Sequence, residues 1–504
     1  MNETYRQSTK NAARHLMIRR AVELLTTRRS LSCCVRQSYV RDIYDYFIQQ
    51  DESYEKIQAQ LIDSSYIRAW EDMHIQKQGY KRASDLSVCY LSGPEPNNDF
   101  NEFLTMGVLP QNIWAFECES SVYAQALNDV MSNDYRQPKI IKTSIERFFE
   151  NTPKKFDIVY IDSCASLISD QHALKCISTM FMHHRLESPG ILISNFCEVN
   201  NSVDKSAYID LISKYFCVKN NHSVLVDRKG DVTFSKEYED MYREVESNFD
   251  EFYGDFITLM ICNSGSITIP TLRFVNSPYL SCVSKTDPDK CREVSLDDIN
   301  LLKNNDLYKY IQINKLIEQM RTRCPKAPKV NKLFLELSGH RSGGYDLHSC
   351  FNKLYEVRIK GKDIPSVLDP ILNFFMNTNK MYQFLDRPNR LLFFDSVINQ
   401  LSYPMHYCSE NIYRISYVAK KKKMFNDLIL FDECRYIYDW LPAIHQIESA
   451  FSNLSWQYTF RFALDGLVKQ RMGNNNEFFF QGSVVSKEVD GFRSQKIGKR
   501  EIIS

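Results

Sequence analysis

Several features by which common protein classes are recognised are missing from this sequence of 504 residues. Glycine and proline are scarce, with 16 residues each, which excludes collagen-like segments and argues against long flexible linkers. None of the 15 cysteines belongs to a Cys-x-x-Cys pair, so neither a zinc ribbon nor a thioredoxin-type site is predicted. The longest apolar run, residues 256–262, is too short to cross a membrane, and no apolar segment typical of a signal peptide follows the polar N-terminus. We therefore expect a cytoplasmic protein with free thiols and no membrane partner.

An excess of charge of one sign is also missing. The sequence has 63 lysines and arginines against 62 aspartates and glutamates, which gives a formal net charge of +1. This balance excludes a polybasic protein that coats nucleic acid, but it allows a local basic patch. Hydrophobic residues make up 43% and charged residues 25% of the chain, as in ordinary globular proteins. The length predicts two to four domains.

Helical periodicity dominates the first 83 residues. Apolar residues recur at steps of three and four between Ala12 and Leu25, and again over residues 39–48, which is typical of amphipathic helices. The sequence therefore predicts a helical N-terminal region over residues 1–83.

From residue 84 onward, short apolar runs alternate with helical segments. The runs are apolar on both faces, which is typical of buried parallel strands. This alternation predicts an α/β fold with a doubly wound parallel sheet over residues 84–282. The five predicted strands cover residues 86–91, 112–116, 139–143, 156–161 and 191–194.

Two further runs, residues 256–262 and 267–274, are predicted to close the sheet as an antiparallel pair. The Asn-Ser-Gly-Ser segment between them is typical of a hairpin turn. A polar, turn-rich stretch around residues 283–295 is the predicted domain boundary.

The region after this boundary, residues 283–504, is predicted to be a mixed, helix-rich C-terminal domain with a polar tail from residue 474. The tail is either mobile or folded back onto the body, and its basic end is predicted to be solvated. Within it we expect helices at 296–322, 365–385 and 442–471, and strands in short apolar runs such as 428–431.

Polar residues directly follow the predicted strands, where an open parallel sheet binds its ligands. After the first strand, Gly93 allows a ligand to approach the backbone closely, beside a helix N-terminus with free N–H groups. Glu117 follows the second strand, and its distance along the chain from Gly93 is roughly 20 residues. In dinucleotide folds a carboxylate at this distance from the glycine loop binds the ribose hydroxyls. Ser144, Asp162 and Asn195 follow the third, fourth and fifth strands.

With these residues the sequence resembles class I S-adenosylmethionine-dependent methyltransferases, which have a Rossmann-like fold. The resemblance covers roughly residues 84–275 and lies in the order of strands, the acidic residue after the second strand, FDIVYID (Phe156–Asp162) and SPGILIS (Ser188–Ser194). A closing antiparallel strand pair also suits this family.

The resemblance implies an S-adenosylmethionine site and methyl transfer to an unidentified nucleic acid or small molecule. In that site Gly93, with Glu95 and Asp99 nearby, would lie near the methionine part of the cofactor. Glu117 would hold the ribose and Ser144 would lie near the adenine. Asp162 would face the substrate as the catalytic residue and would also contact the cofactor.

The loop after the first strand favours an alternative. It reads SGPEPNND (Ser92–Asp99), with one glycine and two prolines, whereas the family has a glycine-rich loop. The alternative is a catalytically inactive Rossmann-like sensor or scaffold whose C-terminal domain binds a protein or nucleic acid. A nicotinamide-dependent enzyme is less well supported, because no Gly-x-Gly-x-x-Gly motif is present.

Two His-x-Cys pairs, His348 with Cys350 and His406 with Cys408, offer four ligands of the kind that zinc prefers. Cysteine and histidine coincide often in a chain with 15 cysteines, so we predict no metal site from them.

A run of four lysines, Lys420–Lys423, stands near Arg387, Arg390 and Arg414 in the C-terminal region. Together these residues would form a phosphate-binding patch for nucleic acid, and the alternative for the lysines is a solvated turn.

Overall fold

The computed structural model describes residues 8–50, 54–132, 139–163, 165–167, 173–199, 202–219, 224–226, 232–234, 236–270, 273, 402–407, 409–441, 453–471 and 497–503.

Helices form the N-terminal region, as the periodicity predicts. The capping of α4 illustrates why they begin and end where they do: the Asp63 side chain accepts a hydrogen bond from the backbone N–H of Ser65, and Gly79 ends the helix with a φ of 62°. The four helices are α1 (Ser8–Leu25), α2 (Tyr39–Gln49), α3 (Tyr54–Gln60) and α4 (Ser64–Gln78).

The alternation of strands and helices follows, and the structure confirms all five predicted strands. Their order along the chain is β1 (Val88–Leu91), α5 (Asn97–Thr105), β2 (Ile113–Phe116), α6 (Ser120–Met131), β3 (Lys139–Ile141), α7 (Ile145–Asn151), β4 (Phe156–Asp162), α8 (Ala173–Met182) and β5 (Leu186–Cys197).

The remaining described elements include a small hairpin and three helices before residue 273, and four strands and two helices after residue 402. They are α9 (Ser202–Lys219), β6 (Val224–Val226), β7 (Val232–Phe234), α10 (Lys236–Ser247), α11 (Phe249–Asn263), β8 (His406–Tyr407), β9 (Tyr413–Ala419), β10 (Lys422–Asp432), α12 (Arg435–Tyr438), α13 (Leu454–Arg471) and β11 (Glu501–Ile502).

Nine of the strands in the described part of the chain form one sheet, in the order β11-β9-β10-β5-β4-β1-β2-β3, with β8 pairing with β10. Strands β1 to β5 run parallel to one another. Strand β10 is antiparallel to β5, and β9 is antiparallel to β10. The protein therefore has a Rossmann-like α/β sheet that is closed at one side by an antiparallel pair.

The predicted position of that closing pair is wrong. Residues 256–262 lie within helix α11, and a π-helical turn, Ser264–Thr268, follows it. Ten residues of α11 are buried, and its run of seven residues, which is apolar except for Thr258, does not distinguish a buried helix from a buried strand. The closing pair is β9 and β10, which come from far along the chain.

The sequence predicts a separate C-terminal domain from residue 283. Residues 402–432 do not belong to a separate domain, because they complete the sheet. The predicted strand at 428–431 lies in β10, and α13 lies within the predicted helix 442–471. The predicted helices 296–322 and 365–385 lie outside the described residues. The end of the tail folds back onto the body, because β11 pairs with β9 and Arg500 bonds the buried carboxylate of Asp427, while Lys499, Glu501 and Ile502 stay exposed.

Two apolar clusters cover the faces of the sheet. Helices α1 and α5 pack on one face, against residues such as Tyr90, Ile158 and Ile193. Helices α7, α8, α9 and α11 pack on the other face, against neighbours of opposite orientation such as Cys89 and Val159. This alternation follows from the two-residue period of a strand.

A third apolar cluster joins helices α2, α3 and α4 to α12 and α13, with the indole of Trp70 fully buried. No helix in the described ranges is both long and apolar enough to cross a membrane.

Candidate functional site

The carboxyl ends of the parallel strands lie level with one another. Leu91 pairs with Phe116, and Phe116 pairs with Ile141. Backbone hydrogen bonds continue this alignment past the strand ends, from Ser92 N to Phe116 O (3.0 Å) and from Glu117 N to Ile141 O (3.1 Å). The loops that carry the predicted ligand-binding residues therefore meet at one edge of the sheet.

The loop after β1 leaves space beside its glycine. Gly93 has a φ of 57°, a conformation that favours glycine, and no atom lies within 4 Å of the place where a Cβ would stand. The carboxylate of Glu95 accepts a hydrogen bond from the Asn98 side chain (2.9 Å). The backbone of Gly93 is thus open to a ligand, while the rest of the loop is bonded to the start of α5.

Glu117 and Ser144 lie beyond β2 and β3, as predicted. One oxygen of the half-buried Glu117 carboxylate accepts a hydrogen bond from the backbone N–H of Glu119 (2.8 Å), and the described residues provide no hydrogen bond to the other oxygen. Ser144 caps helix α7 by accepting from the backbone N–H of Arg147. Glu117 is therefore available to a ligand, whereas the Ser144 hydroxyl has a structural partner.

Asp162 ends β4 and is enclosed by charged and polar groups. Its carboxylate contacts the Lys10 ammonium at 2.8 Å and accepts a hydrogen bond from the Asn195 side chain at 2.7 Å. The side chains of Lys10 and Asp162 are only 9% and 12% exposed. Burial by itself would raise the pKa of the Asp162 carboxyl, but Lys10 and Asn195 outweigh that effect and lower the pKa.

Asp99 lies in the first turn of α5, directly after the loop that follows β1, and its carboxylate is close enough to Asp162 for the two to interact. It is buried and forms an ion pair with Arg14 of α1, with 2.7 Å between the guanidinium Nε and the carboxylate. Burial would lower the pKa of Arg14, but the neighbouring carboxylate raises it instead. A contact of Asp99 with a cofactor stays a prediction, and its side chain is already held by Arg14.

Sequence reasoning missed the contribution of helix α1. Lys10 and Arg14 stand four residues apart, so both lie on the face of α1 that meets the sheet. The spacing indicates that the two cations share one face of the helix. Nothing local in the sequence indicates that they form ion pairs with Asp162 and Asp99. Helix α1 begins at the carboxyl edge, where Thr9 donates a hydrogen bond to Val418 O.

Two buried asparagines also lie at this edge. Asn195 and Asn426 stand opposite each other on β5 and β10, and both are fully buried. The Asn195 amide nitrogen donates to Asp162 and to the hydroxyl of Tyr417. Within the described part of the chain, the Asn195 amide oxygen and both amide atoms of Asn426 have no hydrogen-bond partner. Such atoms are costly unless a ligand or water bonds them, which indicates a polar site beside Asp162.

The other predicted sites are only partly described. His348, Cys350 and Cys408 of the two His-x-Cys pairs lie outside the described residues. His406 is buried in β8, where its Nε2 lies 2.6 Å from the hydroxyl of Tyr438.

The basic patch predicted for nucleic acid loses one member. Arg414 is buried and bonds Asp255 (2.5 Å), because its strand lies inside the sheet, so it cannot belong to a surface patch. Arg387 and Arg390 lie outside the described residues. Lys420–Lys422 are exposed at the turn between β9 and β10, and Lys423 pairs with Asp250.

No protein-family model matches the sequence, and no curated protein matches it. Several solved structures are similar to parts of the chain. A putative methylase from Haemophilus influenzae has 16% identity over 23% of this chain and 65% of its own, with a TM-score of 0.19. The magnesium protoporphyrin IX methyltransferase from Synechocystis, with bound S-adenosylmethionine, has 14% identity over 34% of this chain and 77% of its own, with a TM-score of 0.18.

A putative caffeoyl-CoA O-methyltransferase from Staphylococcus aureus has 13% identity over 44% of this chain and 88% of its own, with a TM-score of 0.19. These identities and TM-scores are too low to carry an argument about activity. The Rossmann-like fold follows from the strand order of the chain itself.

Proposed function

We propose that this protein is an S-adenosylmethionine-dependent methyltransferase whose site lies at the carboxyl edge of the sheet. The observation that carries the proposal is the sheet order, in which an antiparallel pair, β10 and β9, follows β5 of a parallel sheet. This arrangement resembles the class I methyltransferases, and the acidic residue after β2 is where that family holds the ribose.

The residues at this edge suit the parts of such a cofactor. The open space beside Gly93 accommodates the methionine part against the backbone, and the Glu117 carboxylate can accept hydrogen bonds from ribose hydroxyls. When bound, S-adenosylmethionine supplies an activated methyl group, so the protein mainly has to position the acceptor.

Asp162 is suited to orienting the acceptor rather than to deprotonating it. The lowered pKa keeps its carboxyl ionised near neutral pH, and a carboxylate of low pKa is a weak base. A carboxylate can accept a hydrogen bond from the hydroxyl or amine of an acceptor and so fix its position. The unpartnered amide atoms of Asn195 and Asn426 offer further polar contacts beside it.

The inactive scaffold remains the second candidate. The observation that favours it is the ion pair between Lys10 and Asp162, which already neutralises the residue proposed to face the acceptor. The methyl acceptor is proposed to be a nucleic acid or a small molecule. A nucleic acid would be contacted by the exposed lysines 420–422.

Titration calorimetry with S-adenosylmethionine and S-adenosylhomocysteine tests the cofactor site. We expect binding by the full chain and a loss of at least about tenfold in affinity in Glu117→Ala, which corresponds to about 1.4 kcal/mol. Glu119→Ala is the matched control, since it removes an exposed carboxylate from the same turn. Equal affinity of both variants for the cofactor would show that Glu117 does not contact it. No binding by the folded wild type would overturn the proposal.

A further inference from the structure

A buried cluster of two thiols and a carboxylate lies at the opposite edge of the sheet from the candidate methyltransferase site. Cys34 follows helix α1, whereas Asp432 and Cys434 come at the end of β10. The two sulfurs and a carboxylate oxygen all lie within 4.8 Å of one another, and all three residues are buried. Neither cysteine is in a disulfide.

The carboxylate of Asp432 is held in one orientation by four hydrogen bonds. The backbone N–H groups of Cys34 (3.0 Å) and Cys434 (2.9 Å) donate to it, as do the hydroxyls of Tyr436 (2.7 Å) and Ser188 (3.2 Å). Each oxygen accepts two of these bonds, so a metal ligated by Asp432 would displace the longest of them, that from the Ser188 hydroxyl, and the other three would orient the carboxylate. The same bonds place the two cysteines on either side of Asp432.

Asp432 also differs from the other buried aspartates among the described residues. Asp99, Asp157 and Asp427 each contact the side chain of a lysine or arginine. Within the same part of the chain, no such cation forms an ion pair with Asp432, which is 2% exposed. Arg29 and His74 interact with Asp432 only at longer range, so a bound cation would supply the direct counter-charge of this buried carboxylate.

The types of the three side chains select the cation. Cysteine sulfur is a soft ligand that favours zinc over magnesium or calcium, and a carboxylate is also a common zinc ligand. The chain at Cys434 is held in the left-handed conformation, with a φ of 49°, which is uncommon for a residue other than glycine. This conformation turns the chain so that Asp432 and Cys434 both face Cys34.

We propose that Cys34, Asp432 and Cys434 bind one Zn²⁺ ion, which ties the N-terminal helices to the end of β10. Each thiol gives its proton to solvent as its sulfur binds the metal. Three protein ligands leave the fourth position of a tetrahedral site to a water molecule or to the neighbouring Cys33 thiol.

Metal analysis of the full chain, purified under reducing conditions without chelators, tests the proposal. We expect about one zinc per chain, and after replacement with Co²⁺ the sulfur-to-cobalt charge-transfer band and intense visible bands of a tetrahedral site. Cys34→Ser and Cys434→Ser should lose these bands. Cys89→Ser is the matched control, because Cys89 is equally buried but lies in β1.

The wild-type measurement stands even if a variant fails to fold. Absence of both zinc and the cobalt bands in the reduced, folded wild type would overturn the proposal. Cobalt bands that persist in both folded variants would also overturn it, as would a Cys34–Cys434 disulfide found by mass spectrometry in a metal-free wild type.

Discussion

Lys10 and Asp162 show how a single side chain in an N-terminal helix controls a residue at the end of a distant strand. Their contact is almost fully buried, so water screens it weakly. The pair neutralises the carboxylate of the last residue of β4. Removing the cation would leave a buried charge stabilised by the Asn195 hydrogen bond and by the more distant Arg14.

We therefore predict that Lys10→Met lowers the free energy of unfolding by about 3 kcal/mol at pH 7, the cost of breaking a buried ion pair. Urea denaturation measures this change. Arg19→Met is the control from the same helix, because the pair between Arg19 and Glu23 is exposed, and it should change the stability by less than about 0.5 kcal/mol.

The pH dependence of this difference has a fixed sign. Since folding lowers the pKa of Asp162, its stabilising effect is present above the ordinary aspartate pKa of about 4 and is lost as the pH falls through the lower, folded value. The difference in unfolding free energy between wild type and Lys10→Met should thus be constant within experimental error from about pH 6 to 8. It should become smaller below about pH 4. A gap that widens in acid would contradict the assigned ion pair.

At the scale of elements, the end of the chain contributes more than its polar sequence suggests. Strand β11 is only two residues long, but Arg500 beside it reaches the fully buried side chain of Asp427 and donates to the backbone oxygen of Ile415 at 2.9 Å. The tail is therefore held by Arg500 together with the backbone pairing of β11 and the partial burial of Ile497 and Ile503.

We predict that Arg500→Met lowers the unfolding free energy by about 3 kcal/mol, because Asp427 would lose its cation. Thermal or urea unfolding of the full chain measures this. Lys499→Met changes the adjacent, exposed residue and should have little effect. Equal stability of the two variants would mean that the pairing with Asp427 does not stabilise the protein.

The element scale also explains the one strand pair that sequence reasoning misplaced. Residues 256–262 are apolar except for Thr258 and are buried throughout, which fits a buried helix as well as a buried strand. In contrast, the predicted runs within β1 to β5 are short, apolar on both faces and followed by polar turns, which predicted strands correctly, although β5 extends beyond its run to Leu186–Cys197. Strand β10 was recognised only in part, because its pairing partner β5 lies in a distant segment.

At the scale of the whole molecule, the sheet joins segments from both ends of the described chain. Strand β10 pairs with β5 from Gly190 to Cys197, and β9 and β11 continue the sheet beyond it. Helix α1 packs on the face of the sheet that carries Leu428 and Leu430 of β10. The Rossmann-like unit is thus not contained within residues 84–282.

A fragment of residues 84–282 should for this reason fail to fold cooperatively. It would expose the edge of β5 and the apolar surface that Leu428 and Leu430 cover in the full chain. Urea unfolding followed by near-ultraviolet circular dichroism should show a cooperative transition for the full chain and none for the fragment. A cooperative transition of the fragment would support the domain boundary at residue 283 after all.

Local patterns in the sequence were sufficient to predict the parallel strands β1 to β5, the N-terminal helices, and the positions of Gly93, Glu117, Ser144 and Asp162 beyond their strands. These features depend on side-chain periodicity and on turn residues, which a single stretch of sequence contains. The tertiary structure alone decided that Lys10 neutralises Asp162, that β9 and β10 close the sheet, and that Cys34 meets Cys434. Each of these contacts joins segments far apart in the chain, and no periodicity within one segment encodes its distant partner.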